Sequence, residues 1–203
     1  MKDYSTNTLE GPENAFVDIQ GRVIAFFSQH VVNQNEVIVV IEKAFEQRVK
    51  AHLSKYLPLF NTRIETAPYR IYHDLDTSHV YRPGEISIAQ KKGALILTNE
   101  NYQSFVTDEE YRLFRLKYSI PVQGEDFDQT LLLNVANEER VSYTKGCYLG
   151  QEIIARVHYK GKPPKALVVK AEDECTPDGK IRMTSKTTDP STGKVLGFLF
   201  IDR

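Results

Sequence analysis

The chain has 203 residues, 41% hydrophobic and 26% charged, which is enough for one well-buried core or two small ones. A formal net charge of -1 gives no global attraction to nucleic acid or anionic membrane, so any such binding has to be local. No apolar run is long enough to span a bilayer, no signal peptide opens the chain, and the two cysteines, Cys147 and Cys175, lie in unrelated contexts; a reducing cytoplasm is the expected compartment.

In chain order, residues 22–27 and 37–41 are rich in β-branched and aromatic side chains and read as strands. Phe45, Val49, Leu53 and Tyr56 then recur at helical spacing, and Pro58 stops the helix. Further strands are expected at 69–72, 86–89 and 94–98. Thr107-Asp108-Glu109-Glu110 offers a capping box for a second helix running to about Lys117, with Pro121 closing it. After Gly161-Lys162-Pro163-Pro164-Lys165 only short strand-like runs remain, at 166–171, 180–184 and 195–201, with turns at Pro177-Asp178-Gly179 and at 189–193. The pattern is α+β, divided into a sheet-and-helix domain over 1–162 and a small antiparallel β module over 163–203.

Residues 145–152, Lys-Gly-Cys-Tyr-Leu-Gly-Gln-Glu, are the segment most suited to chemistry. Ile153, Ile154 and Val157 follow at helical spacing, so the Gly-Gln-Glu start reads as a helix N-terminus, where unpaired N–H groups favour anions and lower the pKa of a nearby thiol. Cys147 is either a small buried hydrophobe, as free cysteines usually are, or a reactive thiol set between glycines beside Lys145. Glu152 and Arg156, at i and i+4, form an ordinary surface ion pair, or Glu152 instead orders the thiol loop or holds Lys145. Tyr148 is either core or the flank of a planar ligand. The histidines are scattered and no Cys-x-x-Cys occurs, so no zinc and no permanently held cluster are expected.

At this octapeptide the sequence resembles the YgfZ-type folate-binding proteins of iron–sulfur protein maturation, relatives of the glycine-cleavage aminomethyltransferase, whose signature is Lys-Gly-Cys-Tyr-x-Gly-Gln-Glu. The likeness extends upstream through Phe114-Arg115-Leu116, Ile120-Pro121, Gly124-Glu125-Asp126-Phe127 and Val141-Ser142-Tyr143-Thr144, and downstream through Ile154-Ala155-Arg156-Val157 and Lys160-Gly161-Lys162. It is strong over 108–170 and fair over 21–75, where Gly21-Arg22 precedes a strand. It implies an aminomethyltransferase-like fold with a C-terminal β-barrel-like module, and tetrahydrofolate as cofactor. It also implies a site in which Cys147, Lys145 and Glu152 carry chemistry while Arg115, Lys117, Asn134, Tyr148, Gln151 and Arg156 bind the cofactor.

This chain departs from the family's pattern in two places. Only twenty residues precede Gly21, where the family usually carries some tens, and that missing part supplies the acid that promotes transfer in the aminomethyltransferase. Asp74 and Asp76 are the carboxylates left to approach the site. Lys117 also stands where a pterin-reading glutamate is expected, with Ser119 for a glycine and Asn134 for a second glutamate; a cation cannot accept the hydrogen bonds of a pterin N–H edge.

The resemblance therefore implies a non-catalytic, tetrahydrofolate-binding accessory factor for assembly or repair of iron–sulfur proteins, whose partners are the assembly machinery or its clients. The alternatives are a folate-dependent aminomethyl or one-carbon transferase and, third, a tRNA-modification factor. Lys160, Lys162 and Lys165 make a short basic run, but no aromatic residues interleave with it. Cys175, in the acidic stretch Glu172-Asp173-Glu174, is expected to be dispensable.

Overall fold

A computed structural model describes residues 13–136, 141–143, 146–175 and 182–203. The fold mixes helix and strand and contains three small antiparallel sheets. Of the described residues, 13–16, 24–103 and Gly146 form one compact unit and the remainder a second. Among the described residues, 163–175 and 182–203 group with 17–23, 104–136, 141–143 and 147–162 in the second unit.

In the first unit, β1 (Asn14–Val17), β2 (Val23–Asn33) and β3 (Glu36–Ile41) make one sheet in that order. β2 and β3 form an antiparallel hairpin that sets Phe27 opposite Ile41 and His30 opposite Ile38. Period-two alternation along β2 puts Ala25 on the inner face, where it packs with Phe45 and with Val49 of α1 (Glu46–Leu53). Phe16, Ile41 and Leu53 close over this cluster, and the rings of Phe16 and Phe27 stack at 4.4 Å. Helical periodicity located the helix; its first residues, Lys43–Phe45, are a 3-10 turn, and Leu57–Phe60 form another that ends at left-handed Asn61. β4 (Arg70–Asp74), β5 (Ile86–Ala89) and β6 (Ala94–Thr98) form the second sheet, with the mostly buried β6 between the other two. The strand β1 had no counterpart in the sequence reading.

The loop from β4 to β5 is held by carboxylates. Asp74 Oδ2 accepts the His79 backbone N–H at 3.1 Å and Asp76 Oδ1 that of Ser78 at 3.1 Å, so both aspartates act as local turn caps. Glu85, whose side chain is only 3% exposed, accepts the Tyr102 hydroxyl at 2.6 Å, pairs with His79 Nε2 at 2.8 Å and takes the Arg82 N–H at 2.9 Å. The Tyr102 bond first, then those from His79 and Arg82, depress the Glu85 carboxyl to a pKa of about 2. Because the folded value lies below the ordinary one, the stabilisation from Glu85 is complete above pH 4.5 and is lost as the pH falls toward 2. Tyr102→Phe removes the largest of these donors, so NMR titration should show the Glu85 carboxyl titrating at higher pH than in the parent protein. An unchanged titration would refute the assignment of that donor.

In the second unit, α2 (Asp108–Lys117) starts at the capping box read from the sequence: Thr107 Oγ1 accepts the Glu110 N–H at 3.2 Å and the Glu110 carboxylate accepts the Thr107 N–H at 2.8 Å. A short α3 (Leu132–Val135) follows, then α4 (Gln151–Lys160) and the sheet β7 (Lys165–Ala171), β8 (Thr184–Thr188) and β9 (Val195–Asp202) in the order β7-β9-β8. The barrel-like module is corrected by this arrangement. Among the described residues the three strands form an open sheet, with β7 and β8 as its edges, α2 lying against β8 and α3 against β7. β8 begins at Thr184, the last residue of the expected run 180–184, of which 180 and 181 lie outside the described residues; within it Ser185 takes a positive φ of 50° and the register against β9 shifts between Thr184 and Thr187. The turn at 189–193 forms, with the Gly193 N–H on the Asp189 carbonyl at 2.8 Å, whereas Pro177-Asp178-Gly179 lies outside the described residues.

A buried polar network joins these elements. The Arg115 guanidinium on α2 contacts Asp126 Oδ2 and Glu125 Oε2, each at 2.9 Å, and Ser185 Oγ at 3.0 Å. Asp126 also accepts the Val122 N–H at 2.8 Å and the Thr184 hydroxyl at 2.8 Å. Arg115 and Asp126 side chains are 4% and 0% exposed, so the pair is removed from water, with Glu125 and Ser185 as further partners of the guanidinium and Val122 and Thr184 as further partners of the carboxylate.

Candidate functional site

The site begins at a turn distant in sequence from the octapeptide. Asp18 Oδ1 accepts the N–H groups of Gln20 at 2.8 Å and Arg22 at 2.9 Å, while Gly21, at φ 71°, donates its N–H to the Asp18 carbonyl at 3.0 Å. The chain leaves this turn beside α3: the Arg22 backbone bridges to Leu131, Val23 N–H reaches the Thr130 carbonyl and Leu132 N–H the Gly21 carbonyl.

Gly150, the N-cap of α4, lies against this turn with φ 81°. A Cβ there would collide with the Asp18 carbonyl oxygen and stand 3.1 Å from Gly21 N; one at Gly21 would stand 3.1 Å from Ile154 Cγ1. The two glycines therefore let two backbone segments approach more closely than side chains allow. Ile154, fully buried, anchors the first turn of α4 beneath them. Gln151 closes the preceding turn, its Oε1 accepting the Tyr148 N–H at 3.3 Å and its own N–H donating to the Tyr148 carbonyl at 3.2 Å.

With Gly150 and Gln151 used in this way, Cys147 is exposed, a position opposite to that of a buried small hydrophobe. Cys175 is half-buried and its Sγ donates to the Ala171 carbonyl at 3.5 Å. Both cysteines are free. Lys145 lies outside the described residues. Glu152 and Arg156 are both exposed, and among the described residues no ion pair joins them. Tyr148 is half-buried, and burial pushes its hydroxyl pKa up. Further along α4, His158 stacks on Tyr143 with ring centroids 3.8 Å apart.

The residues assigned to a cofactor fall into distinct settings. Arg115 is held by Asp126, Glu125 and Ser185. Asn134 is buried on α3, its Nδ2 donating to Thr130 Oγ1 at 3.0 Å and its Oδ1 accepting the Lys165 N–H at 3.4 Å. Lys117 is exposed, with its ammonium 5.6 Å from the Tyr118 ring centre. As a donor set, the exposed cations Lys117 and Arg156 match folate's carboxylate tail. The amide of Asn134, which would read the pterin edge, is already bonded on both sides. Among the described residues no group of three or more His, Cys, Asp or Glu is gathered for a metal ion. No helix among them is long and apolar enough to cross a membrane.

An open cleft of about 530 Å³ adjoins the first turn of α4, lined by Ile19, Gln20, Arg22, Leu131 and Ile153. The sequence reading used Gly21-Arg22 only to mark a strand and missed these residues. The spacing Asp18-x-x-Gly21, a side-chain-capped turn ending in glycine, was the available signal.

No protein-family model matches the chain. It is 23% identical over 93% of its length to an uncharacterised protein of Haemophilus influenzae, covering 71% of that protein. It is 28% identical, over 72% of its length, to the "tRNA-modifying protein YgfZ" of Hamiltonella defensa, and 26% identical, over 75%, to the mouse mitochondrial "Iron-sulfur cluster assembly factor IBA57". These alignments cover 45% and 44% of the two named relatives, so the chain spans less than half of their length.

Proposed function

We propose, for a chain that belongs to the YgfZ-type family, that it is an accessory protein in the assembly or repair of iron–sulfur cluster proteins, acting through the Cys147 loop. The observation that carries this reading is the exposure of Cys147 at the end of a loop whose neighbouring motif residues, Gly150 and Gln151, are fixed by packing and hydrogen bonds. An exposed thiolate is a ligand for iron, and one thiolate supports a passing contact with a cluster or a site shared with a client, whereas a resident cluster takes several. A relative named as an iron–sulfur cluster assembly factor supports the same direction.

Tetrahydrofolate is the proposed small-molecule ligand, with Lys117 and Arg156 available to its glutamate carboxylates and Tyr148 to a flat ring; Arg115 and Asn134, both already hydrogen-bonded within the protein, are given no direct contact with it. Lys145 and Glu152 are proposed to act with the thiol loop. The protein is read as non-catalytic. Asp74 and Asp76 each cap their own turn, which counts against either of them as the carboxylate of an aminomethyl or one-carbon transferase. Relatives named as tRNA-modifying support a third reading, in which the chain contacts tRNA.

The test is complementation. In cells lacking the native protein, Cys147→Ser is expected to leave iron–sulfur enzyme activities at the level of the empty vector, while Cys175→Ser restores them. Full rescue by Cys147→Ser would remove the thiol from the account.

A further inference from the structure

In the first unit, the 3-10 turn Leu57–Phe60 after α1 presents apolar surface that nothing described so far uses. Leu59 and Phe60 are adjacent in the chain and 75% and 76% exposed, and Ile64 shortly after them is exposed as well. Single exposed apolar side chains are ordinary, whereas two large ones side by side on one turn mark a binding surface.

The turn is also built to leave water. Its backbone bonds to itself: Leu59 N–H donates to the Tyr56 carbonyl at 3.0 Å, Asn61 N–H to the Pro58 carbonyl at 3.3 Å and Thr62 N–H to the Leu57 carbonyl at 2.9 Å. The Thr62 hydroxyl donates to the Phe60 carbonyl at 3.1 Å, and Pro58 has no N–H to satisfy. Left-handed Asn61, at φ 47°, turns the chain away behind the tip. Peptide groups paired in this way enter an apolar medium without losing hydrogen bonds.

The flanks supply positive charge. Lys55 precedes the tip, its ammonium 5.0 Å from the Tyr56 ring centre, and Arg63 follows it. Arg63 pairs with Glu65 at 2.7 Å, but both side chains are exposed, and a surface pair of this kind gives way easily to another anion. Residues 46–70 carry five Lys and Arg against two Glu, although the chain as a whole stands at -1. The local excess therefore coincides with the apolar tip.

We propose that this tip docks the protein on an anionic lipid bilayer, with Leu59 and Phe60 inserted at the boundary between headgroups and acyl chains and with Lys55 and Arg63 against lipid phosphates. Side chains so far exposed on a turn protrude rather than line a groove, and a fluid interface accepts a protruding tip without a pocket of matching shape. The contact is peripheral and reversible, and it depends on neither Cys147 nor folate.

The experiment is co-flotation of the purified full chain with vesicles of phosphatidylcholine alone and of an equimolar mixture of phosphatidylcholine and phosphatidylglycerol. The protein is expected to float with the mixed vesicles, to do so less as salt is raised, and to stay behind with the neutral ones. Leu59→Ser combined with Phe60→Ser should weaken the association at least about tenfold, the scale of withdrawing two large apolar side chains from the interface. Phe105→Ser, at another exposed phenylalanine, should leave it unchanged. Melting temperatures equal to the parent's confirm that these variants are folded. The chain has no tryptophan, so Phe60→Trp supplies a lone indole whose emission should shift to the blue with the mixed vesicles. Absence of flotation by the parent, equal flotation of the double serine variant, equal loss in Phe105→Ser or an unshifted emission would each overturn the proposal. A lipid-free dimer in equilibrium sedimentation that the double serine variant abolishes would assign the tip to a second copy of the chain instead.

Discussion

Replacing Arg115 with alanine is expected to destabilise the protein by about 3–5 kcal/mol, because it leaves the fully buried Asp126 carboxylate without its cation. For a chain of this size that corresponds to a fall in melting temperature of roughly 6–20 °C. The effect should appear in a thermal melt without any ligand, since the partners of the guanidinium are Asp126, Glu125 and Ser185 of the same unit. A double replacement, Arg115→Met with Asp126→Leu, removes both charges together and should recover a large part of the loss, as buried ion pairs replaced by apolar groups usually do. A single replacement that melts within about 1 °C of the parent would show that the network contributes little. The network also has a pH signature. Burial raises the Glu125 pKa, but the Ser185 hydrogen bond and the Arg115 and Arg112 guanidiniums outweigh it and hold the carboxyl below its ordinary value. Its stabilisation is therefore present above the ordinary carboxylate pKa and is lost as the pH falls through the depressed one.

The second large effect is expected at Gly150. Alanine there must adopt a left-handed backbone at φ 81°, which costs roughly 1–2 kcal/mol, and its Cβ must also displace the Asp18 carbonyl. The expected result is a melting temperature lower by several degrees, by about 2–4 °C for each kcal/mol, together with loss of complementation as the octapeptide shifts from the Asp18 turn. Gly146→Ala is the internal comparison: nothing lies within 4 Å of a Cβ at that position and its φ is not positive, so its stability should match the parent's. If Gly150→Ala melts and complements like Gly146→Ala, the close approach of the two turns is not what fixes the loop.

These two positions also show what local pattern conveyed. The capping box at Thr107 and Glu110, strands 86–89 and 94–98, and the helix after Gly150 were legible because each rests on residues within a few positions of one another. The exposure of Cys147 was left open by composition, since a thiol between glycines suits a core as well as a surface. What decides it is the Asp18 turn, well over a hundred positions earlier in the chain, and no periodicity links Gly21 to Gly150. Arg115 is a similar case. Its place in the family pattern pointed to a ligand, whereas its partner Ser185 lies seventy positions later in the chain, beyond the reach of any local pattern. The barrel-like ending was inferred from resemblance; three short strands with two free edges make the open sheet found among the described residues.

The proposed service of Cys147 to iron–sulfur proteins is tested most directly with purified protein, with Cys175→Ser as the background so that one thiol remains. A cluster-dependent hydratase is damaged by peroxide and then supplied with iron, sulfide and reductant. Recovery of its activity should be faster with the Cys175→Ser protein than without it, and this acceleration should vanish when Cys147 is alkylated with iodoacetamide beforehand. Equal acceleration by the alkylated and free proteins would contradict the account.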